Sequence, residues 1–184
     1  MQSIEAWNKN IPFDKGDFAM NDKEKQIELL IVDDDEKFLS TIAERLGLKD
    51  FAVTTATEGK QAVKAAKKGA FDVAILDLKM PGMDGMELLR ILKKKHKFLE
   101  VIILTAFASI DSAVEATKLG AFGYLEKPYN FEKLLGVLKD AYEARIRKKF
   151  EHDKKRQEEI AILAMGSSPM GILRALKHLD DGEK

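Results

Sequence analysis

Residues 71–85 read FDVAILDLKMPGMDG. Val73–Leu76 is a short, wholly apolar run rich in β-branched residues, the pattern of a strand buried on both faces of a parallel sheet. Asp77 ends the run, and Pro81, Gly82, Asp84 and Gly85 make a turn-rich loop. A helix is predicted next, with Asp84 as N-cap and Glu87 completing a capping box. One carboxylate thus stands where a central parallel strand stops. In open α/β sheets ligands bind at that edge, near the point where the strand order reverses. A lone aspartate there would ordinarily be a turn cap, so the rest of the chain has to decide its role.

Outward from this stretch the alternation repeats. Ile27–Val32 (IELLIV) is a first strand, stopping at Asp33, Asp34 and Asp35. Phe38, Leu39, Ile42, Ala43 and Leu46 recur at helical spacing before Gly47. Phe51–Thr55 reads as a second strand. Gly59–Lys68 reads as a second helix, stopped by Gly69. The helix after Asp77 runs from about Asp84 to Lys95. Val101–Leu104 is a fourth strand ending at Thr105. Ser109 is the expected N-cap of a helix with Ala113, Val114, Ala116, Thr117 and Leu119 inward, closed by Gly120. Phe122–Leu125 is a fifth strand, followed by Glu126, Lys127 and Pro128. A last helix starts near Asn130, with Leu134, Leu135, Leu138, Ala141 and Tyr142 on one face. Five strand–helix pairs in alternation predict an α/β fold, a doubly wound parallel sheet with helices on both faces.

The flanks differ in character. Residues 1–26 are polar and without periodicity, an extension or partly disordered arm in which Trp7, Ile11, Phe13 and Phe18 could still pack. Met20 is an alternative start. Residues 27–142 form the expected domain. Residues 143–184 are a charged helical extension, with Ile146 and Phe150 as seam residues, and a short amphipathic helix opened by Ser168 and Pro169 and bearing Ile172, Leu173, Leu176 and Leu179.

Bulk properties narrow the function classes. The 184 residues are 45% apolar and 34% charged, a globular composition with enough apolar surface for a core. Basic and acidic residues balance at 31 each, which argues against a nucleic-acid field over the whole protein. No cysteine is present, so disulfides, thiol nucleophiles and thiolate metal sites are excluded. Three scattered histidines argue against zinc. No apolar run reaches the roughly 18 residues needed to span a bilayer, and the N-terminus lacks a signal-peptide core. A cytoplasmic location is therefore expected.

Four strand ends carry Asp33–Asp34, Asp77, Thr105 and Lys127, and a parallel sheet brings them to one edge. Several carboxylates at one point repel unless a cation joins them or one keeps a proton. Magnesium suits such a site, because it takes few carboxylates and completes its shell with water and phosphate oxygens. A hydroxyl and a compact ammonium on neighbouring strands are what a phosphoryl group needs on its other sides. A carboxylate can itself be the nucleophile that accepts that group.

The pieces LLIVDDD, DVAILDLKMPGMDG, VIILTAF and GYLEKPY, in this order, resemble the receiver domain of bacterial two-component response regulators. The resemblance covers about Ile27 to Tyr142. It implies a flavodoxin-like sheet with strand order 2-1-3-4-5 and Asp77 as phosphoacceptor. It implies Mg2+ held by Asp34, Asp77 and the carbonyl of Lys79, with Asp33 helping through water. Thr105 and Lys127 would hold the phosphoryl oxygens, Thr105 and Tyr124 would form the switch, and the Lys127–Pro128 bond would be cis. The implied function is a phosphorylation-dependent signalling switch rather than a metabolic enzyme. It would be charged by a histidine kinase or histidine phosphotransfer protein and would act through protein–protein contacts, including a homodimer.

Other readings fit less well. Asp33 and Asp35 have the spacing of a haloacid-dehalogenase-type phosphatase, but Lys37 stands where that pattern needs threonine or valine. Three consecutive aspartates lack the glycine of a calcium loop. Asp35 alone reads as a helix cap, Lys93–Lys95 and Lys97 as cations offsetting a helix dipole, and His96 as a surface residue. The tail MGSSPMGILRAL resembles the entry to the ATPase domain of enhancer-binding regulators, but no GxxxxGK[ST] loop follows. The alternative function is the receiver part of a DNA-binding or ATPase transcriptional regulator.

Overall fold

The apolar runs become strands because their residues have two cores to fill. The computed structural model describes residues 26–49 and 51–166. Its strands are β1 (Ile27–Val32), β2 (Phe51–Ala56), β3 (Val73–Leu76), β4 (Glu100–Thr105) and β5 (Gly123–Glu126). They form one parallel sheet in the order β2-β1-β3-β4-β5. The helices are α1 (Glu36–Gly47), α2 (Gly59–Lys68), α3 (Gly85–Lys95), α4 (Ile110–Lys118) and α5 (Phe131–Gly166). The expected doubly wound α/β fold and its strand order are both present.

Alternate strand residues serve opposite faces. Leu29, Ile31, Ile75, Ile102 and Leu104 pack with Leu39, Ile42 and Leu46 of α1 and Leu134, Leu135 and Leu138 of α5. Leu30, Val32, Ala74, Leu76, Val101 and Ile103 pack with Ala62 and Ala66 of α2, Leu88, Leu89 and Leu92 of α3, and Ala116 of α4. All four residues of β3 are buried. Burying each large side chain contributes roughly 1.5–3 kcal/mol relative to leaving it in water.

Some expectations needed correction. β4 extends one residue beyond the apolar run at each end, so Thr105 lies inside the strand. β5 starts at Gly123, and Phe122 before it is exposed. On α4 only Ala116 is buried, while Val114 and Thr117 face water. The Asp84 side chain caps α3 by accepting from the Glu87 amide; this is one half of the expected box. Lys93 does more than offset a dipole. Its Nζ donates to the Leu99 carbonyl at 3.0 Å and pairs with buried Glu100 at 3.5 Å. His96 is half-buried as the α3 C-cap, and burial together with the Lys95 charge lowers its pKa.

The chain divides into two compact units, one ending at Tyr142 and one starting at Glu143. In the second, α5 continues to Gly166, and Ile146 and Phe150 are exposed on it. The readings of the N-terminal arm and of the short helix after Ser168 lie outside the described residues.

Candidate functional site

The sheet's strand order reverses between β1 and β3, and the acidic residues follow those two strands. Backbone hydrogen bonds carry the ladder past the strand ends. The Asp33 amide donates to Ala56 O at 3.1 Å, the Asp77 amide to Val32 O at 2.9 Å, and the Lys127 amide to Thr105 O at 2.8 Å. The candidate residues are therefore held by the sheet, on a rigid base rather than on free loops.

Carboxylate oxygens of Asp33, Asp34 and Asp77 lie within 4.8 Å of one another. Asp33 and Asp77 are buried and Asp34 is exposed. Burial, with the Asp77 charge adding to it, holds the Asp33 carboxyl above its ordinary pKa, although the Lys127 ammonium and the Asp35 amide pull the other way. Asp33 Oδ2 accepts from Lys127 Nζ at 2.5 Å, and Oδ1 accepts from the Asp35 amide at 3.1 Å. Asp77 Oδ2 accepts from the Lys79 amide at 3.2 Å. Asp77 Oδ1 is buried with no donor among the described residues.

A buried carboxylate oxygen without a donor costs free energy that a cation or a proton would recover. Three hard oxygen donors at this spacing match what magnesium takes from a protein. The donor set therefore fits the metal that the resemblance implies. Asp35 is not part of the group: its side chain accepts from the Lys37 and Phe38 amides at 2.9 and 3.0 Å and caps α1.

Thr105 is fully buried, and its Oγ1 accepts from the Phe107 amide at 3.1 Å, so its hydroxyl proton can still be donated. The Lys127–Pro128 peptide is cis.

The response regulator receiver domain profile matches residues 29–139. This chain belongs to the response regulator receiver domain family. Transcriptional regulatory protein ZraR of Klebsiella oxytoca is 38% identical over 117 residues, which are 64% of this chain and 26% of that protein. The DNA-binding transcriptional regulator NtrC of Escherichia coli is 36% identical over 111 residues, covering 60% of this chain and 24% of its own length. The chain thus spans about a quarter of the length of these curated relatives. Among solved structures, a response regulator receiver domain protein from Clostridium thermocellum is 34% identical with a TM-score of 0.62, covering 67% of this chain and 97% of its own. A beryllofluoride-activated NtrC4 receiver domain dimer is 34% identical with a TM-score of 0.63, covering 65% and 99%.

Four contributors to the receiver's site escaped the sequence reading: Phe38, Tyr129, Ser112 and Gly85. Lys127 Nζ lies 4.1 Å from the centre of the Phe38 ring. Phe38 in turn meets the Tyr129 ring edge-on at 6.2 Å. Burial, and to a lesser degree the Asp33 charge, raises the Tyr129 phenol pKa against the pull of Arg45. Tyr124 is half-buried, and its hydroxyl meets Ser112 Oγ at 2.7 Å. Gly85 is the fourth. A Cβ there would lie 2.1 Å from Asp77 O and 2.8 Å from Leu78 Cα, so α3 approaches the acid-bearing backbone more closely than any side chain permits. A glycine in the first helical turn, where it is a poor helix former, was the available signal.

Proposed function

We propose that this receiver domain is a signalling switch that accepts a phosphoryl group on Asp77 from a histidine kinase or a histidine phosphotransfer protein. The observation that carries the reading is Asp77 itself, a buried carboxylate with one oxygen held by the Lys79 amide and the other with no donor among the described residues, within 4.8 Å of two more acids. A carboxylate oxygen attacks phosphorus, the bond from phosphorus to the donor's imidazole nitrogen breaks, and the imidazole leaves as the neutral base after taking a proton. Lys127 offers its ammonium, and Thr105 its hydroxyl, to the phosphoryl oxygens that gain charge in transfer. Asp33 holds that ammonium beforehand.

Asp34, Asp77 and the Lys79 carbonyl would hold magnesium, with Asp33 helping through water. When bound, the ion offsets the charge gathered by carboxylates and phosphoryl oxygens. The domain then works as a switch rather than a metabolic enzyme. Movement of Thr105 toward the new group opens space that Tyr124 enters, a local charge change read out by a two-state element.

The output surface in this reading is α4, β5 and α5. Ile110 is 83% exposed and Val114 48%, apolar side chains one turn apart on α4 and suited to a protein partner. The leading partner is a second copy. Ile146 and Phe150, one turn apart on α5, are exposed and suit a seam between copies, and the NtrC4 relative is described as a dimer. Among the described residues no helix is long and apolar enough to cross a membrane, which supports a cytoplasmic site of action. Residues 27–142 serve as the receiver, and α5 continues beyond Tyr142 to Gly166 as a helical extension.

A second reading is favoured by the relatives' length. Several are transcriptional regulators about four times as long as the matched segment, so this receiver could control a DNA-binding or ATPase output domain. Incubation with acetyl phosphate, with and without magnesium, followed by intact mass and sedimentation, tests the first reading. Asp77→Asn should gain no phosphoryl mass, and the phosphorylated parent should sediment as a dimer. A duplex-DNA shift assay separates the two outputs.

A further inference from the structure

The Lys127 side chain is held by more than its partner carboxylate. Its Nζ pairs with Asp33 Oδ2 on one side and lies 4.1 Å from the Phe38 ring centre on another. Phe38 is fixed in turn. Its amide donates to Asp35 Oδ1 in the α1 cap, which sets its backbone at the start of that helix. Its ring meets Tyr129 at 87° between planes, and both rings pack against the core between the sheet, α1 and α5. An ordinary half-buried core phenylalanine would need only the last of these contacts.

We propose that Phe38 is a positioning residue for phosphoryl transfer, its ring face confining the Lys127 ammonium beside the acidic cluster. The inference rests on the reading of Lys127 as the cation that meets the phosphoryl oxygens. A lysine has four rotatable bonds and a point charge, so its unaided head samples many positions. A ring face attracts the ammonium and costs no hydrogen bond, leaving all three N–H donors for oxygen acceptors. Tyr129, braced against Phe38, keeps that ring from turning its edge to the ammonium. Transfer depends on groups already in place, so confining this charge raises the rate without contact between Phe38 and the phosphoryl group.

The test uses the full chain with acetyl phosphate and magnesium, reading the rate of phosphoryl gain by intact mass. Phe38→Leu keeps apolar volume and removes the ring, and Phe38→Trp restores a ring face. The expected result is that Phe38→Leu labels about three- to tenfold more slowly, the range of a partly buried cation–π contact, and that Phe38→Trp recovers most of the rate. In Lys127→Ala the added Phe38→Leu change should have no further effect. A second readout is the NMR shift of the Lys127 ε-methylene, moved upfield by the ring in the parent and returned to an ordinary value in Phe38→Leu. Parent-like labelling of Phe38→Leu beside a slow Lys127→Ala overturns the inference alone. So does an equal slowing by Phe38→Leu with and without Lys127. Parent-like labelling of Lys127→Ala overturns the reading of Lys127 itself. If Phe38→Leu does not fold, an unshifted ε-methylene in the parent overturns the inference and an upfield one supports it.

Discussion

The Tyr124 hydroxyl and Ser112 Oγ lie 2.7 Å apart, joining β5 to the first turn of α4. Ser112 also closes a capping box with Ser109, so a single hydroxyl serves both the helix start and Tyr124. The proposed inward movement of Tyr124 would break this bond. Tyr124→Phe should therefore weaken the resting state by about 1 kcal/mol, the net worth of one hydrogen bond. The α4 amide NMR signals of the unphosphorylated variant should move toward their positions in the phosphorylated parent. Unmoved α4 signals would contradict the latch.

Glycines 82 and 85 should respond differently to alanine. Gly82 has φ +85° and nothing near its missing Cβ, so Gly82→Ala should cost roughly 1–2 kcal/mol of backbone strain. At Gly85 the new Cβ meets backbone atoms of Asp77 and Leu78, which cannot yield without moving the acid itself. Gly85→Ala should cost about 3 kcal/mol, the upper end of what overpacking costs, and slow phosphorylation. Urea unfolding measures the first effect and intact mass the second, and equal losses at the two glycines would refute the close-approach argument.

Asp33 gives a pH signature. Its folded pKa lies above its ordinary value of 3.8 because burial outweighs the Lys127 pairing. The folded state therefore keeps the proton over a range where the unfolded chain has lost it. Stability from this group is fully present below the ordinary value and is lost as pH rises through the folded one. In magnesium-free buffer Asp33→Asn should melt higher than the parent at pH 7, and the gap should close below about pH 4. A variant that melts lower than the parent at pH 7 would show that the ion pair outweighs burial.

The three consecutive aspartates should separate by role. Asp34→Ala should abolish magnesium binding measured by calorimetry while leaving stability nearly unchanged, because its side chain is exposed. Asp35→Ala should keep the metal and lose about 1 kcal/mol, the usual worth of a helix cap. Loss of metal binding in Asp35→Ala alone would reverse the assignment.

Much of this molecule is legible in its sequence for a physical reason. Strands buried on both faces read as unbroken apolar runs, as Val73–Leu76 does, and a parallel sheet carries the residue after each run to one edge. The α4 stripe misled because this short helix buries only Ala116, so Val114 and Thr117 pattern as core without being core. Lys93 and His96 misled because the turn after α3 folds back, bringing the Leu99 carbonyl to the Lys93 ammonium. Phe38 and Tyr129 were invisible as site residues for a different reason. The part of Phe38 depends on its ring face meeting a lysine far along the chain, and Tyr129 enters only through its edge-on contact with that ring; no spacing rule encodes either contact.

The most direct test of the central claim is chemical trapping of the acceptor. The chain is incubated with acetyl phosphate and magnesium, treated with borohydride, which reduces an acyl phosphate to an alcohol, and digested for tandem mass spectrometry. The expected result is homoserine at position 77, found only when donor and metal are both present. Phosphoryl mass on the intact chain with aspartate intact at position 77, and the reduced residue elsewhere, would contradict it.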